Sequence, residues 1–97
     1  MPTLLNAVTT NTTGSGASHT GPATVWVRGE LGGATVVIQG ADSDVAASYV
    51  NLDKSVIAEN VFRATGGMQC SAVGTYFLRA VVGNAGPATN VTVVTTQ

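Results

Sequence analysis

Alternating apolar and polar side chains mark two pairs of strand segments along the chain. Residues 23–28 (ATVWVR) and 34–39 (ATVVIQ) are rich in β-branched residues, and a glycine-bearing connection, GELGG, separates them. Short connections of this kind close hairpins, so we predict that the two strands pair directly. Residues 74–82 (GTYFLRAVV) and 88–95 (ATNVTVVT), joined by GNAGP, predict a second hairpin in the same way.

Within the second pair, alternation also predicts which side chains share a face. Tyr76, Leu78 and Ala80 fall on one face of the strand, because successive side chains of a strand point to opposite sides. Val91 and Val93 match this pattern on the partner segment.

Shorter segments complete the strand pattern. Strand candidates lie at residues 4–8, 47–52, 61–64 and 68–72, with turn-forming Gly, Asp and Ser between them. About seven short strands at a spacing of about 8–12 residues are typical of a two-sheet antiparallel fold. The chain is therefore predicted to be all-β, a small antiparallel β-sandwich of immunoglobulin-like type.

The first 22 residues differ from the rest in composition. After the strand candidate at 4–8, residues 9–21 consist largely of Thr, Ser, Gly and Asn. Such side chains bury too little apolar area to offset the entropy of ordering them. We predict an N-terminal arm and loop over residues 1–22 and a β-sandwich domain over residues 23–97.

Charge is sparse throughout the chain. Hydrophobic residues make up 44% of the 97 residues and charged residues 9%, with a formal net charge of −1. Nucleic acid is not an expected partner, because binding it requires clustered Lys and Arg. A surface with so little charge is weakly protected against association, so we expect the domain to bury its faces against partners.

Neither a membrane nor an oxidising compartment is indicated. The N-terminus lacks a signal-peptide pattern, and no stretch approaches the roughly 20 apolar residues that span a bilayer. Cys70 is the single cysteine, so an intrachain disulfide is excluded.

Few residues are candidates for chemistry. His19 lies in the polar N-terminal segment without a neighbouring acid or nucleophile, and we interpret it as an exposed loop residue. Cys70 sits in an alternating stretch, where a buried thiol behaves as a small hydrophobe. No catalytic, cofactor-binding or metal-binding residue is predicted, and we expect neither a cofactor nor enzyme activity.

Two further groups have a functional and a structural interpretation. Asp42 and Asp44 offer oxygen ligands to calcium, but the segment lacks the later Glu and the glycine placement of a calcium loop, and a turn is favoured. Trp26 and Tyr49 are candidates for a sugar-binding or partner surface. The lone Trp of a small sandwich more often fills its core, which we favour for Trp26.

The run RGELGGATVVIQ at residues 28–39, followed by Asp42 to Asp44 and by Tyr49 and Val50, resembles a pattern in small virion proteins of tailed bacteriophages. In those proteins a G-x-[FL]-G-G-A-T-V hairpin precedes an S-x-D loop and an aromatic-Val strand. The run at 74–86 is similar to their closing hairpin, although G-T-Y-x-L-R-A also recurs in unrelated immunoglobulin-like modules. The resemblance covers most of residues 22–95, but not the arm or residues 53–72.

The resemblance implies a non-enzymatic structural protein of the phage particle: a capsid decoration or cement protein, a head-fibre base, or a component near the head-to-tail junction. We favour capsid decoration, in which the domain binds the major capsid protein and stabilises the capsid surface of the virion. Synthesis in the host cytoplasm and assembly as a homo-oligomer, with a trimer favoured, follow from the same resemblance.

The contact surface is predicted on the N-terminal segment. The interface candidates are Leu4, Leu5, Val8 and His19, because an arm of this composition orders only when something binds it. The main alternative is an immunoglobulin-like binding module, in a head fibre or a tail adaptor, that engages host surface glycans or another virion protein. An exposed aromatic platform formed by Trp26 and Tyr49 would distinguish this alternative from the structural role.

Overall fold

Strands run through the whole described chain. The computed structural model describes residues 3–52, 56–57 and 60–97. A 3-10 turn, Ala46–Ser48, lies between the fifth and sixth strands. The strands in chain order are β1 Thr3–Val8, β2 Thr12–Thr13, β3 Ala17–Thr20, β4 Ala23–Glu30, β5 Thr35–Ala41, β6 Val50–Asn51, β7 Val61–Phe62, β8 Gly66–Cys70, β9 Thr75–Gly83 and β10 Asn90–Thr96.

The strands form two antiparallel sheets. The first sheet has the order β1-β10-β4-β8. In the second sheet β9 and β5 are the central pair, with β2 and β3 along the outer side of β9 and β6 and β7 along the outer side of β5. The predicted all-β class and antiparallel sandwich are therefore confirmed.

The core lies between the sheets and is built from alternate side chains of each strand. Tyr76, Leu78 and Ala80 on β9 are buried, and Phe77 and Arg79 between them are only partly buried. The inward residues of β10 include Val91 and Val93, as the alternation predicts. Each fully buried Val or Leu contributes about 1.5–3 kcal/mol relative to an exposed one.

Both predicted hairpins are wrong. The strand β4 pairs with β10 and β8 in the first sheet, whereas β5 pairs with β9, β6 and β7 in the second. In the same way β9 belongs to the second sheet and β10 to the first. Both connections cross from one sheet to the other. The last two strands of an immunoglobulin domain are neighbours in one sheet, whereas β9 and β10 lie in different sheets.

The two crossing loops stabilise each other at one end of the sandwich. Leu31 is buried and its carbonyl accepts hydrogen bonds from the Ala34 amide at 2.9 Å and the Thr89 hydroxyl at 2.8 Å. Thr89 Oγ1 also accepts the Gly86 amide at 2.9 Å. Gly32 has a φ of +57°, and a Cβ there would lie 3.1 Å from the Thr89 nitrogen. A buried apolar residue and shared hydrogen bonds thus hold these loops as arches between sheets.

The expectation of a free N-terminal arm is wrong for residues 3–20. The strand β1 pairs with β10, and β2 and β3 pair with β9, so this segment contributes an edge to each sheet. Leu4 and Leu5 are 3% and 4% exposed and belong to the same core as the later strands. The division at residue 22 is therefore not a boundary between an arm and a folded domain.

The middle of the chain matches the prediction in part. Residues 46–48 form the 3-10 turn, so the strand predicted at 47–52 is reduced to the two residues of β6. The strands predicted at 61–64 and 68–72 correspond to β7 and β8 with shifted ends. Part of the segment between β6 and β7, at residues 53–55 and 58–59, lies outside the described residues.

Candidate functional site

His19 lies inside the sandwich, and the predicted exposed loop position is wrong. It is 1% exposed, because the alternation of β3 turns Ala17 and His19 inward and Ser18 and Thr20 outward. It pairs across the sheet with Tyr76, and the two rings stack with centroids 5.7 Å apart. The polar composition of the segment concealed a short strand whose inward residue is a histidine.

Both ring nitrogens of His19 have hydrogen-bond partners. Nδ1 lies 2.9 Å from the Ala17 carbonyl oxygen and Nε2 lies 2.5 Å from Thr95 Oγ1. A carbonyl only accepts, so Nδ1 carries the proton and Nε2 accepts from the Thr95 hydroxyl. Burial lowers the pKa of His19 below its ordinary value of 6.5, although the bond to Ala17 acts in the opposite direction. The imidazole is thus neutral, with no nitrogen left for a substrate or a metal.

Tyr76 and Cys70 extend this buried cluster. The Tyr76 hydroxyl donates to the Gly21 carbonyl at 2.6 Å. Burial, with a smaller contribution from the neighbouring Cys70 thiol, raises the pKa of Tyr76 to about 12. Cys70 is fully buried, which confirms its interpretation as a core residue. The cluster connects β3 to strands of both sheets. His19 at its centre is shielded from solvent, whereas Tyr76 also lines a groove at the end of the sandwich.

The loop after β5 is fixed by an aromatic residue and an acid. Tyr49 is 9% exposed, and its hydroxyl donates to Asp44 Oδ1 at 2.7 Å. The guanidinium carbon of Arg79 lies 4.3 Å from the Tyr49 ring centroid, a cation-π contact. Burial, followed by the adjacent Asp44, raises the pKa of Tyr49 to about 12. Tyr49 is therefore a packing residue rather than half of an exposed platform.

The possible calcium ligands Asp42 and Asp44 belong to this loop, and both are exposed. The hydrogen bond from Tyr49 occupies one carboxylate oxygen of Asp44 and gives that residue a structural role. Across residues 3–52, 56–57 and 60–97, no group of three or more His, Cys, Asp or Glu side chains is placed to hold a metal ion.

An open apolar groove lies at the end of the sandwich where β5 finishes. It has a volume of about 510 Å³, and its walls come from β5, β6 and the connection that enters β9. Leu52 packs on the backbone of Gly40, where a Cβ would come within 2.6 Å of Leu52 Cδ2. Two valines at this groove, Val50 and Val73, are 61% and 85% exposed. Clustered exposed apolar side chains of this kind mark contact surfaces.

Trp26 forms a second exposed feature, on the outer face of the first sheet. It is 39% exposed, whereas its neighbours Val25 and Val27 are 0% and 1% exposed. The predicted core position of Trp26 is therefore wrong, because the two valines take the inward places and turn the indole outward. The flanking valines were the available signal: strict alternation allows either the valines or the Trp to face the core, but not both.

The predicted interface residues are not brought together on a surface. Leu4, Leu5 and His19 are buried within the chain itself, and Val8 is half-buried against the same core. None of the described helical segments is long and apolar enough to cross a membrane. The groove and the face around Trp26 take the place of the N-terminal segment as candidate contact surfaces.

Comparison with protein-family models, with curated proteins and with solved structures found no match to this chain.

Proposed function

We propose that this domain is a non-enzymatic structural protein of a bacteriophage particle, and that it decorates the capsid surface by binding the major capsid protein. The observation that carries the proposal is the apolar groove, at which Val50 and Val73 are largely exposed. A chain with only 9% charged residues and a net charge of −1 has little electrostatic repulsion to oppose contact between such a surface and another protein.

The buried histidine cluster supports a structural rather than a chemical role. In the described residues, every buried side-chain nitrogen and oxygen has a hydrogen-bond partner. Polar groups satisfied in this way rigidify a core and specify one packing. The hydrogen bond between His19 and Thr95 then ties the two sheets together, and the bond from Tyr76 fixes the chain at Gly21.

Copy number in the particle tests this function. Purified phage particles that contain the chain would be analysed by quantitative mass spectrometry against the major capsid protein. Hundreds of copies per particle are expected for a decoration protein. Six or twelve copies would instead indicate a vertex or tail component, and absence from the particle would contradict the proposal.

The groove can be tested separately on particles stripped of the protein. We expect the pair of substitutions Val50→Asp and Val73→Asp to abolish rebinding, because each places a charge in an apolar contact. Val45→Asp is the matched control: Val45 is 55% exposed but does not line the groove. Rebinding by the double variant at the level of the control would exclude the groove as the attachment surface.

Homo-oligomerisation, with a trimer favoured, belongs to the same proposal. Light scattering coupled to size-exclusion chromatography would give the mass directly, for which the chain mass is 9.7 kDa. A mass of three chains is expected, and a monomer at high concentration would contradict oligomerisation of the free protein.

The alternative function, a binding module in a head fibre or tail adaptor, is favoured by one observation. Trp26 is exposed on a sheet face, as an aromatic platform requires, although Tyr49 does not join it. Six or twelve copies per particle would favour this alternative over capsid decoration.

A further inference from the structure

The Trp26 indole is held flat against the outer face of the first sheet. Its Nε1 donates to Thr96 Oγ1 on β10 at 3.0 Å. At its other edge Cε3 and Cζ3 lie over Gly67 on β8, 2.5 Å from where a Cβ would stand. The ring therefore spans from β8 across β4 to β10, with one face on the glycine backbone.

Glycine is required beneath the ring. Gly67 is the cross-strand partner of Trp26, and any larger residue there would lift the indole from the sheet. A ring fixed at both edges has already lost its rotational freedom, so a ligand that stacks on it incurs little further loss of side-chain entropy.

Polar side chains surround the indole. Thr24 and Arg28 lie two residues away on either side along β4, about 7 Å distant, and point to the same face. Gln69 on β8 is the cross-strand partner of Thr24, which places it on that face as well. The surface thus combines one flat aromatic ring with an exposed guanidinium and an exposed amide.

We propose that this face, the Trp26 platform, binds a hexopyranose unit of a polysaccharide. A pyranose ring has an apolar face of C–H groups, which complements the face of an indole, and a rim of hydroxyl groups, which needs donors and acceptors. Arg28 and Gln69 are placed to supply these at the edges of the ring. This inference does not depend on attachment of the domain to a capsid.

Binding would be measured first with named probes. Native gels containing dextran, laminarin, hydroxyethylcellulose or purified bacterial lipopolysaccharide would show retardation when a polymer binds. The single Trp gives a second signal, because a sugar stacked on Trp26 changes its fluorescence. We expect at least one probe to retard the protein and to alter its emission, whereas no interaction with all four would overturn the proposal.

Two neighbouring glycines give a matched pair of variants that retain Trp26. Gly67→Ala places a methyl group against the indole, displaces it from Thr96, and should weaken binding by about tenfold or more. Gly66→Ala is the control, since nothing lies within 4 Å of its Cβ position, and should bind within about twofold of the parent chain. Equal affinities for the two variants would overturn the proposed stacking.

Removal of the ring provides an independent check. Trp26→Ala should lose retardation on the bound polymer, while Trp26→Phe should retain part of it, because the smaller ring still offers a stacking face. Unchanged far-UV circular dichroism would show that both variants fold, as expected for an outward-facing position. Retardation of Trp26→Ala equal to that of the parent would contradict a carbohydrate site.

Discussion

Truncation of Leu5 tests the integration of the N-terminal strand most directly. Leu5 is 4% exposed, belongs to the central core, and packs under Gly14, where a Cβ would lie 2.8 Å from Leu5 Cδ2. Leu→Ala at buried sites costs about 2.7–5.0 kcal/mol, the sum of lost transfer energy and the cavity that remains. We expect Leu5→Ala to lower the free energy of unfolding by about 3 kcal/mol.

That loss is large for a domain of this size. Domains of this length have unfolding free energies of about 5–15 kcal/mol, and each kcal/mol shifts the melting temperature by about 4–8 °C. The melting temperature of Leu5→Ala should therefore fall by roughly 12–24 °C. Urea unfolding followed by circular dichroism measures the free energy, and an unchanged dependence on urea concentration would show that the variant retains two-state unfolding.

The adjacent residue supplies the control. Asn6 is exposed on the same strand, so Asn6→Ala should change the free energy of unfolding by no more than about 0.5 kcal/mol. If Leu5→Ala were as stable as Asn6→Ala, residues 3–8 would not be docked on β10. The N-terminal segment would then be the free arm that its composition indicates.

Three further predictions concern stability. Burial lowers the pKa of His19 below 6.5, so the unfolded chain binds a proton at this residue more readily than the folded one. The free energy of unfolding should therefore be unaffected by this group above pH 6.5 and should decline as the pH falls below it, by up to about 1.4 kcal/mol per pH unit. Urea midpoints from pH 7.5 to 5 should show this slope, and His19→Gln should flatten it. Tyr49→Phe removes the hydrogen bond to Asp44 and should cost about 0.5–1.5 kcal/mol by calorimetry. Gly32→Ala should lower the free energy of unfolding more than Gly33→Ala does, because both glycines have positive φ but only Gly32 contacts the opposite loop. Equal losses of stability would contradict the contact between the two crossing loops.

Strand positions were predictable from the sequence because alternation is a local property. The pattern of Tyr76, Leu78 and Ala80 predicts a buried face wherever the strand lies in the fold. Sheet membership was not predictable, because a glycine-bearing connection of five residues suits a hairpin and an arch equally. The burial of Leu31 and its hydrogen bonds with the opposite loop decide between the two, and these are tertiary contacts.

The N-terminal segment was misassigned for a different reason. Composition estimates how much apolar area a segment can bury. It does not account for polar side chains that can be buried because they form hydrogen bonds with each other inside a core. His19 and Thr95 are such a pair, 76 residues apart in sequence and 2.5 Å apart in the structure. Each would be costly to bury alone, and together they complete the contact between β3 and β10.

Trp26 and Val73 belong to different surfaces, so variants at these positions can separate the two proposed activities. Val73 lines the groove, whereas Trp26 faces outward from β4 and does not line it. If the groove attaches the domain to a capsid and the Trp26 platform binds sugar, the double variant Val50→Asp, Val73→Asp should no longer bind stripped particles but should still bind polysaccharide. Trp26→Ala should show the reverse. Loss of both activities in either variant would instead mean that a single surface serves both, and the assignment of separate sites would fail.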